Sequence, residues 1–262
     1  MSNSPERQNI EAALSGIRVV EQGTFITGPC AGMMLADLGA DVIKVESKDG
    51  DPYRSYQGGN YSPHFQAYNR NKRSVTLDLK SPDERLIFEG LIREADVFIQ
   101  NFRPGTAARL GAGAERLLEI NPRLIYCSIS GFGSSGPYVE RPSYDSVAQA
   151  LSGFLSVVVD ADRPRFLGPA LADAITGIYA SYGVLGALVK RGRTGKGGLV
   201  EVSMLEAMAH FALELGVAPS AKKAAKGSSA KCAIASNIDT STRPPLPVRP
   251  RFMSAPRTPY DA

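Results

Sequence analysis

The sequence predicts an α/β fold, a parallel sheet with flanking helices, and three observations carry that prediction. Short β-type runs alternate with helical patterns from Ser15 onward. Two of those runs, Asp96-Val-Phe-Ile-Gln and Leu124-Ile-Tyr-Cys-Ser-Ile, are apolar almost throughout, as strands covered on both faces must be. A chain of 262 residues that is 43% hydrophobic and 21% charged also carries enough apolar side chain for a substantial core, which excludes disorder throughout. In such a sheet the crossovers are right-handed and ligands gather at the carboxyl ends of the strands.

The elements follow in order. Ile17-Arg-Val-Val-Glu reads as a strand, Ala31 to Leu38 as a helix closed by Gly39, and Asp41-Val-Ile-Lys-Val-Glu as a second strand. A polar, Gly- and Tyr-rich loop spans Lys48 to Ser62, and Arg73-Ser-Val-Thr-Leu-Asp-Leu returns to strand character. Ser81-Pro82-Asp83-Glu84 has the make-up of a helix start, with a capping serine, proline at the first helical position and acid in the first turn; that helix runs to about Glu94. The two apolar strands come next, separated by a helix over Ala114 to Ile120. The longest helical pattern covers Ala172 to Lys190, with Ile175, Ile178, Tyr182, Leu185 and Val189 at helical spacing. Gly177, Gly183 and Gly186 suit close approach of a neighbour, Lys190, Arg191 and Arg193 suit the negative helix end, and Gly192 suits a left-handed cap. Leu199-Val-Glu-Val-Ser-Met reads as a strand and is followed by helix to Glu214.

Net charge is +4, but its distribution removes any general basic character. Residues 1–100 carry −3, 101–214 carry +1 and 215–262 carry +6. The last segment also holds seven of the 18 prolines and almost no apolar periodicity, so 215–262 is expected to be a disordered basic tail. Neither nucleic acid nor membrane is expected as a partner. Cys30, Cys127 and Cys232 are odd in number and far apart, so no disulfide framework or metal site is expected. The N-terminal residues lack an apolar signal core, and the economical expectation is a cytoplasmic protein.

Several motifs invite a function and have plain alternatives. Gly131-Phe-Gly133-Ser-Ser-Gly136 spells G-x-G-x-x-G after a strand, yet the following Pro137 to Pro142 does not open a helix, so a flexible loop is the better reading. Thr194-Gly-Lys-Gly197 lacks phosphate-loop spacing, and with only His64 and His210 in the chain a serine triad has little support. His210 reads as a packed helix histidine. Asp173 near the start of an apolar helix reads, on pattern alone, as stabilisation of the helix dipole worth some tenths of a kcal/mol, roughly. Asn101-Phe-Arg-Pro-Gly105 directly after a strand is a better-placed site element, with Arg103 and Arg109 suited to phosphates.

Seven blocks in order resemble the family III CoA-transferases, the group with formyl-CoA, carnitine-CoA and succinate–hydroxymethylglutarate CoA-transferases. They are Gly28-Pro29 with Leu35 to Glu46; Asn69 to Asp78; Asn101 to Gly105; Ser130 to Gly133 with Gly136-Pro137; Arg141 to Asp145 with Gln149 to Gly153; Ala172-Asp173 with Thr176-Gly177; and Thr194 to Gly197 with Val200 to Met204. The likeness spans about 15–214, after an N-terminal extension of 1–14. It implies a Rossmann-like large domain and Asp173 as the nucleophile, in place of the dipole reading. It further implies acyl-CoA and a carboxylic acid acceptor as partners, with no permanently bound cofactor and no metal. By motif position the implied CoA contacts are Phe25 and Ile26, Leu77 to Lys80, Asn101, Phe102, Arg103, Arg109, and Arg141 to Tyr144. Relatives often place Gln where Ile26 stands and Arg where Ser47 stands.

The implied chemistry is attack of a carboxylate on a thioester to give an acyl-aspartyl anhydride and CoA thiolate, which then forms an aspartyl-CoA thioester. The nearest rival in the same fold is an α-methylacyl-CoA racemase. Those enzymes carry His where Tyr144 stands, and a phenol is a poor proton shuttle at neutral pH, so Tyr144-Asp145 favours transfer. Family members are longer, build a second smaller domain and form interlocked homodimers. From the sequence that smaller domain is expected to be absent, through an altered reading frame, a premature end or divergence near 214, and a non-catalytic CoA-binding fragment is the third alternative.

Overall fold

A computed structural model describes residues 12–56, 61–160, 163, 165 and 167–213. Six strands form one sheet: β1 (Arg18–Gln22), β2 (Asp41–Glu46), β3 (Lys72–Thr76), β4 (Val97–Gln100), β5 (Ile125–Ser130) and β6 (Gly198–Ser203). All neighbouring pairs are parallel and the spatial order is β3-β2-β1-β4-β5-β6. The chain winds outward in one direction from β1 to β3 and in the other from β4 to β6. A crevice therefore opens beyond Gln22 and Gln100, which are register partners at the carboxyl ends of β1 and β4.

Nine helices are described: α1 (Thr27–Asp37), α2 (Pro63–Asn69), α3 (Pro82–Glu94), α4 (Thr106–Arg109), α5 (Ala114–Ile120), α6 (Asp145–Leu151), α7 (Leu155–Val158), α8 (Leu171–Thr194) and α9 (Met204–Leu213). Strand alternation explains the layers. Val19, Val97, Ile99, Ile125 and Cys127 face α1 and α8, meeting Leu35, Ala180 and Val184. Val20, Phe98 and Tyr126 face the other way, toward Phe88 and Ile92 of α3 and Leu117 of α5. Each fully buried Leu, Ile or Phe contributes about 1.5–3 kcal/mol, so both apolar strands are anchored from two sides. A third cluster joins Ala148 of α6 to Ala172 and Ile175 of α8 and to Met204 and Met208 at the start of α9.

The α/β fold agrees with the sequence reading, and the differences are local. Helix α1 begins at Thr27, four residues before the expected Ala31, because Gly28 and Pro29 at its N-terminus are tolerated there. Strand β3 spans Lys72–Thr76 rather than Arg73 to Leu79. Ser81 occupies the N-cap of α3 with extended backbone but no side-chain cap hydrogen bond. The expected loop over Lys48 to Ser62 contains a 3-10 turn at Pro52–Arg54, which Asp51 caps through Tyr53 N. Helices α2, α4, α6 and α7 are short and were not expected; α2 starts at Ser62, whose hydroxyl accepts from Phe65 N.

Helix α8 corrects two expectations. It runs through Gly192 to Thr194, and the left-handed cap is Gly195, with φ 72°. Arg191, expected at the helix dipole, is buried and pairs with Asp96 at 2.8 Å. The face that packs joins Ile175, which was expected there, to the small residues Ala172, Thr176, Ala180 and Val184, while Ile178, Tyr182 and Val189 are exposed. Gly177 explains the choice: a Cβ there would lie 2.8 Å from Cys30 Sγ and 3.1 Å from Thr27 O, so only glycine lets α1 and α8 approach this closely. Among the described residues α8 is the one helix long and apolar enough to cross a membrane, and its small-residue face is packed against the sheet layer. The expected tail at 215–262 and most of the extension at 1–14 lie outside the described residues.

Candidate active site

The carboxyl ends of β1 and β4 and the N-termini of α1 and α8 converge on a cavity of about 660 Å³. Phe25, Ile26, Asn101, Phe102, Arg103, Arg141, Tyr144 and Asp173 all line it, drawn from four separate sequence blocks. Leu77 and Lys80 line an adjoining pocket of about 420 Å³, and Thr24 and Phe102 border both. Arg109 lines neither; it is exposed, and its guanidinium donates to Thr106 Oγ1 at 2.9 Å. Ile26 contributes only an edge, because its side chain is buried beside Cys30 and Met33.

Asp173 sits in the first turn of α8 and is half-buried. The helix lacks a side-chain cap of its own, since Ala170 holds the N-cap position. Its missing acceptor comes from another element: Asp145 Oδ1 accepts the Asp173 N–H at 3.1 Å. Asp145 is in turn held by Gln149 of the same short helix α6. Burial, and then the negative charge of Asp145, push the Asp173 carboxyl up to about 7. The helix N-terminus favours an anion there, so desolvation and like charge outweigh the dipole. A carboxyl that titrates near neutrality in a cleft is poised between acid and nucleophile.

The turn from β1 to α1 forms one wall. Phe25 has φ 60°, a left-handed conformation that costs a non-glycine residue roughly 1–3 kcal/mol and persists only where the surroundings hold it. Its exposed ring meets Tyr53 edge-on, with centroids 5.4 Å apart, and Tyr56 stacks on Tyr53. Asn101 has its amide engaged within this turn: Oδ1 accepts from Thr24 N at 2.9 Å, and Nδ2 donates to Thr24 O at 2.9 Å and Thr27 Oγ1 at 2.8 Å. Phe102 N donates to Gln100 Oε1 at 2.7 Å, which fixes the first residues of the Asn101 to Gly105 segment. Arg103 and Arg141 line the cavity and are exposed, with the Arg141 guanidinium 4.3 Å above the Tyr138 ring.

Sequence reasoning missed four contributors. Tyr53 and Tyr56 line the cavity from within what read as an undifferentiated Tyr-rich loop. Burial, then the Asp173 charge, raise the Tyr53 phenol, which places that ring in the field of the carboxylate. Asp145 and Gln149 were quoted only as motif positions, and a carboxylate followed four residues later by an amide was the available signal. The G-x-G-x-x-G segment forms bends without opening a helix, as expected; Gly131 permits close approach of Ser143, whose Cβ would lie 2.3 Å from a Cβ at 131. Among the described residues no group of three or more His, Cys, Asp or Glu side chains is placed to hold a metal.

Known proteins resemble this chain in sequence and in fold. The model of CoA-transferase family III matches residues 14–237, past the limit of 214 read from the sequence. The chain is 42% identical over 217 residues to a succinate–glutarate CoA-transferase of Agrobacterium fabrum, covering 79% of this chain and 54% of the relative. It is 42% identical over 201 residues to an acetyl-CoA:oxalate CoA-transferase of Acetobacter aceti, covering 75% and 52%. Among solved structures, a CAIB/BAIF family protein of Brucella suis superposes with a TM-score of 0.76 at 39% identity, covering 81% of this chain and 58% of that one. The chain thus spans about half the length of the curated relatives it matches. With the family model matching most of the chain and a solved relative sharing its fold, this chain belongs to CoA-transferase family III.

Proposed function

We propose that this chain is the CoA-binding, nucleophile-bearing part of a cytoplasmic CoA-transferase that moves CoA from an acyl-CoA to a small carboxylic or dicarboxylic acid. The observation that carries the reading is that Asp173 lines the same cavity as Phe25, Asn101, Phe102, Arg103, Arg141 and Tyr144. CoA presents two chemistries, a phosphorylated nucleotide and an acyl-bearing thiol arm. The pocket with Leu77 and Lys80 suits the former and the Asp173 cavity the latter, with Phe102 between them. Arg109, exposed on α4, is assigned to phosphate at the outer edge.

In the proposed reaction the ionised Asp173 carboxylate attacks the thioester carbonyl; the C–S bond breaks, leaving an acyl-aspartyl anhydride and CoA thiolate. The thiolate attacks the aspartyl carbonyl, releases the first acid as carboxylate and leaves an aspartyl-CoA thioester. The acceptor carboxylate attacks that thioester, and the expelled thiolate resolves the second anhydride into the new acyl-CoA and free Asp173. The thioester is conserved only if water is kept from both anhydrides, which the aromatic wall of Phe25, Tyr53 and Tyr56 assists. Oxyanion donors each supply about 3 kcal/mol in comparable sites. In this family part of that role and the closing of a dimer are assigned to sequence beyond 214.

The test is acceptor-dependent release of acid from an acyl-CoA such as succinyl-CoA. Activity is expected to need a carboxylic acceptor and to be lost in Asp173→Asn; full activity in that variant overturns the assignment. Exchange of the α-proton with deuterated water in the absence of an acceptor would instead establish the racemase reading.

A further inference from the structure

Beneath the β1–α1 turn lies a buried cluster of four charges that the proposed chemistry does not use. Lys44 Nζ is 2.9 Å from Glu21 Oε1 and 3.0 Å from Asp51 Oδ2, and Lys72 Nζ is 2.5 Å from Glu21 Oε2. The side chains are at most 2% exposed, and two carboxylates against two ammonium groups leave the cluster neutral. Replacing buried ion pairs by apolar residues of similar volume is often neutral or stabilising, so such a cluster earns its place through geometry.

The geometry here concerns three consecutive residues. Lys44 donates to Gly23 O at 2.6 Å, Asn101 brackets Thr24 through both its N–H and C=O, and Asp51 Oδ1 accepts from Phe25 N at 3.3 Å. The same Asp51 oxygen accepts from Tyr53 N at 2.9 Å. One carboxylate oxygen therefore ties together the backbones of two aromatic residues from separate segments, and its other oxygen is neutralised by Lys44. Phe25 is also the residue whose backbone stands in the left-handed region, where an anchor is needed.

We propose that Asp51 is a positioning residue for the CoA-transfer site: it holds Phe25 and Tyr53 in place, so that the two rings walling the cavity over Asp173 are set before a ligand arrives. The proposal rests on the reading of that cavity as the CoA-transfer site.

Residue-resolved amide hydrogen exchange, paired with CoA titration, tests it on the full chain. The Phe25 and Tyr53 amides are expected to exchange about a hundredfold slower than unfolded-chain rates. In Asp51→Ala both are expected to accelerate by about tenfold or more while the Val20 and Ile99 amides of the sheet do not change, and CoA affinity to fall about tenfold. Asp51→Asn keeps one acceptor oxygen for the two amides but turns its NH2 toward Lys44 Nζ, so it is expected to recover only part of the protection and affinity lost in Asp51→Ala; a folded Asp51→Asn that exchanges faster than Asp51→Ala at both amides overturns the proposal. A folded Asp51→Ala with unchanged exchange and affinity overturns the proposal. If Asp51→Ala does not fold, the unsubstituted chain decides: slow exchange at Phe25 and Tyr53 supports it, and unprotected rates overturn it. Absence of CoA binding by the unsubstituted chain removes the CoA reading and leaves the exchange result to decide the role of Asp51.

Discussion

Asp173 shows how one side chain changes meaning with its surroundings. As a letter near a helix start it reads as dipole stabilisation; half-buried beside Asp145, it titrates near 7. The folded-state value lies above the unfolded one of about 3.9, so the folded chain binds this proton more tightly, and stability declines as pH rises from about 4 through 7. Asp173→Asn is therefore expected to be more stable than the unsubstituted chain at pH 8, by about 2 kcal/mol once residual solvent contact is allowed for, in urea melts. Thioester attack should rise with pH with a midpoint near 7. Asp145→Asn keeps an acceptor for the Asp173 N–H and removes the charge, so the midpoint should drop by about half a unit or more. At this scale the sequence was readable only where a residue lay within a family block. Asp145 reaches Asp173 across 28 positions and Asp51 reaches Phe25 across 26, and no local pattern records contacts of that kind.

Elements were more legible than residues. All six strands were expected because alternating or fully apolar runs bounded by turns have few other uses, whereas α2, α4, α6 and α7 span four to seven residues and present no periodicity to read. The long helix was expected, but its buried face only in part: of the large apolar residues at helical spacing Ile175 is buried and Leu185 packs on the core, while Ile178, Tyr182 and Val189 are exposed and small residues supply the rest of the contact, because α1 crosses at the Gly177 position. Two glycines of α8 separate packing from propensity. Gly177→Ala is expected to lose about 1–3 kcal/mol through overlap with Cys30 and Thr27 O, shifting the N-terminal turn that carries Asp173. Gly186 is exposed and a Cβ there meets nothing within 4 Å, so Gly186→Ala should gain about 0.5–1 kcal/mol. Denaturant midpoints of the two variants, moving in opposite directions, check both.

For the whole molecule, the net charge of +4 divides into a slightly acidic body and a basic segment after 214. The described sheet, with its reversal of strand order between β1 and β4, accounts for where the cavity lies, and the fold class followed from strand and helix alternation alone. The order of strands did not, since adjacent apolar runs do not reveal which pairs meet. If the two joined pockets are the CoA site, CoA should bind the folded chain and not the unfolded one. Saturating CoA at about a hundred times its Kd should then add about 2.7 kcal/mol and, at roughly 2–4 °C per kcal/mol for a chain of this size, raise Tm by about 5–11 °C. Adenine alone, which lacks the phosphates and the thiol arm, should shift Tm far less in the same thermal melts.

In the proposed reaction Asp173 becomes covalently acylated. Hydroxylamine added while the chain is incubated with succinyl-CoA should convert the activated aspartyl group to a hydroxamate, and peptide mass mapping should place that single modification on Asp173. A hydroxamate at Asp173 that appears only with the acyl-CoA is the expected result; substrate consumption with Asp173 unmodified, or with the label on another carboxylate, rules out Asp173 as the nucleophile.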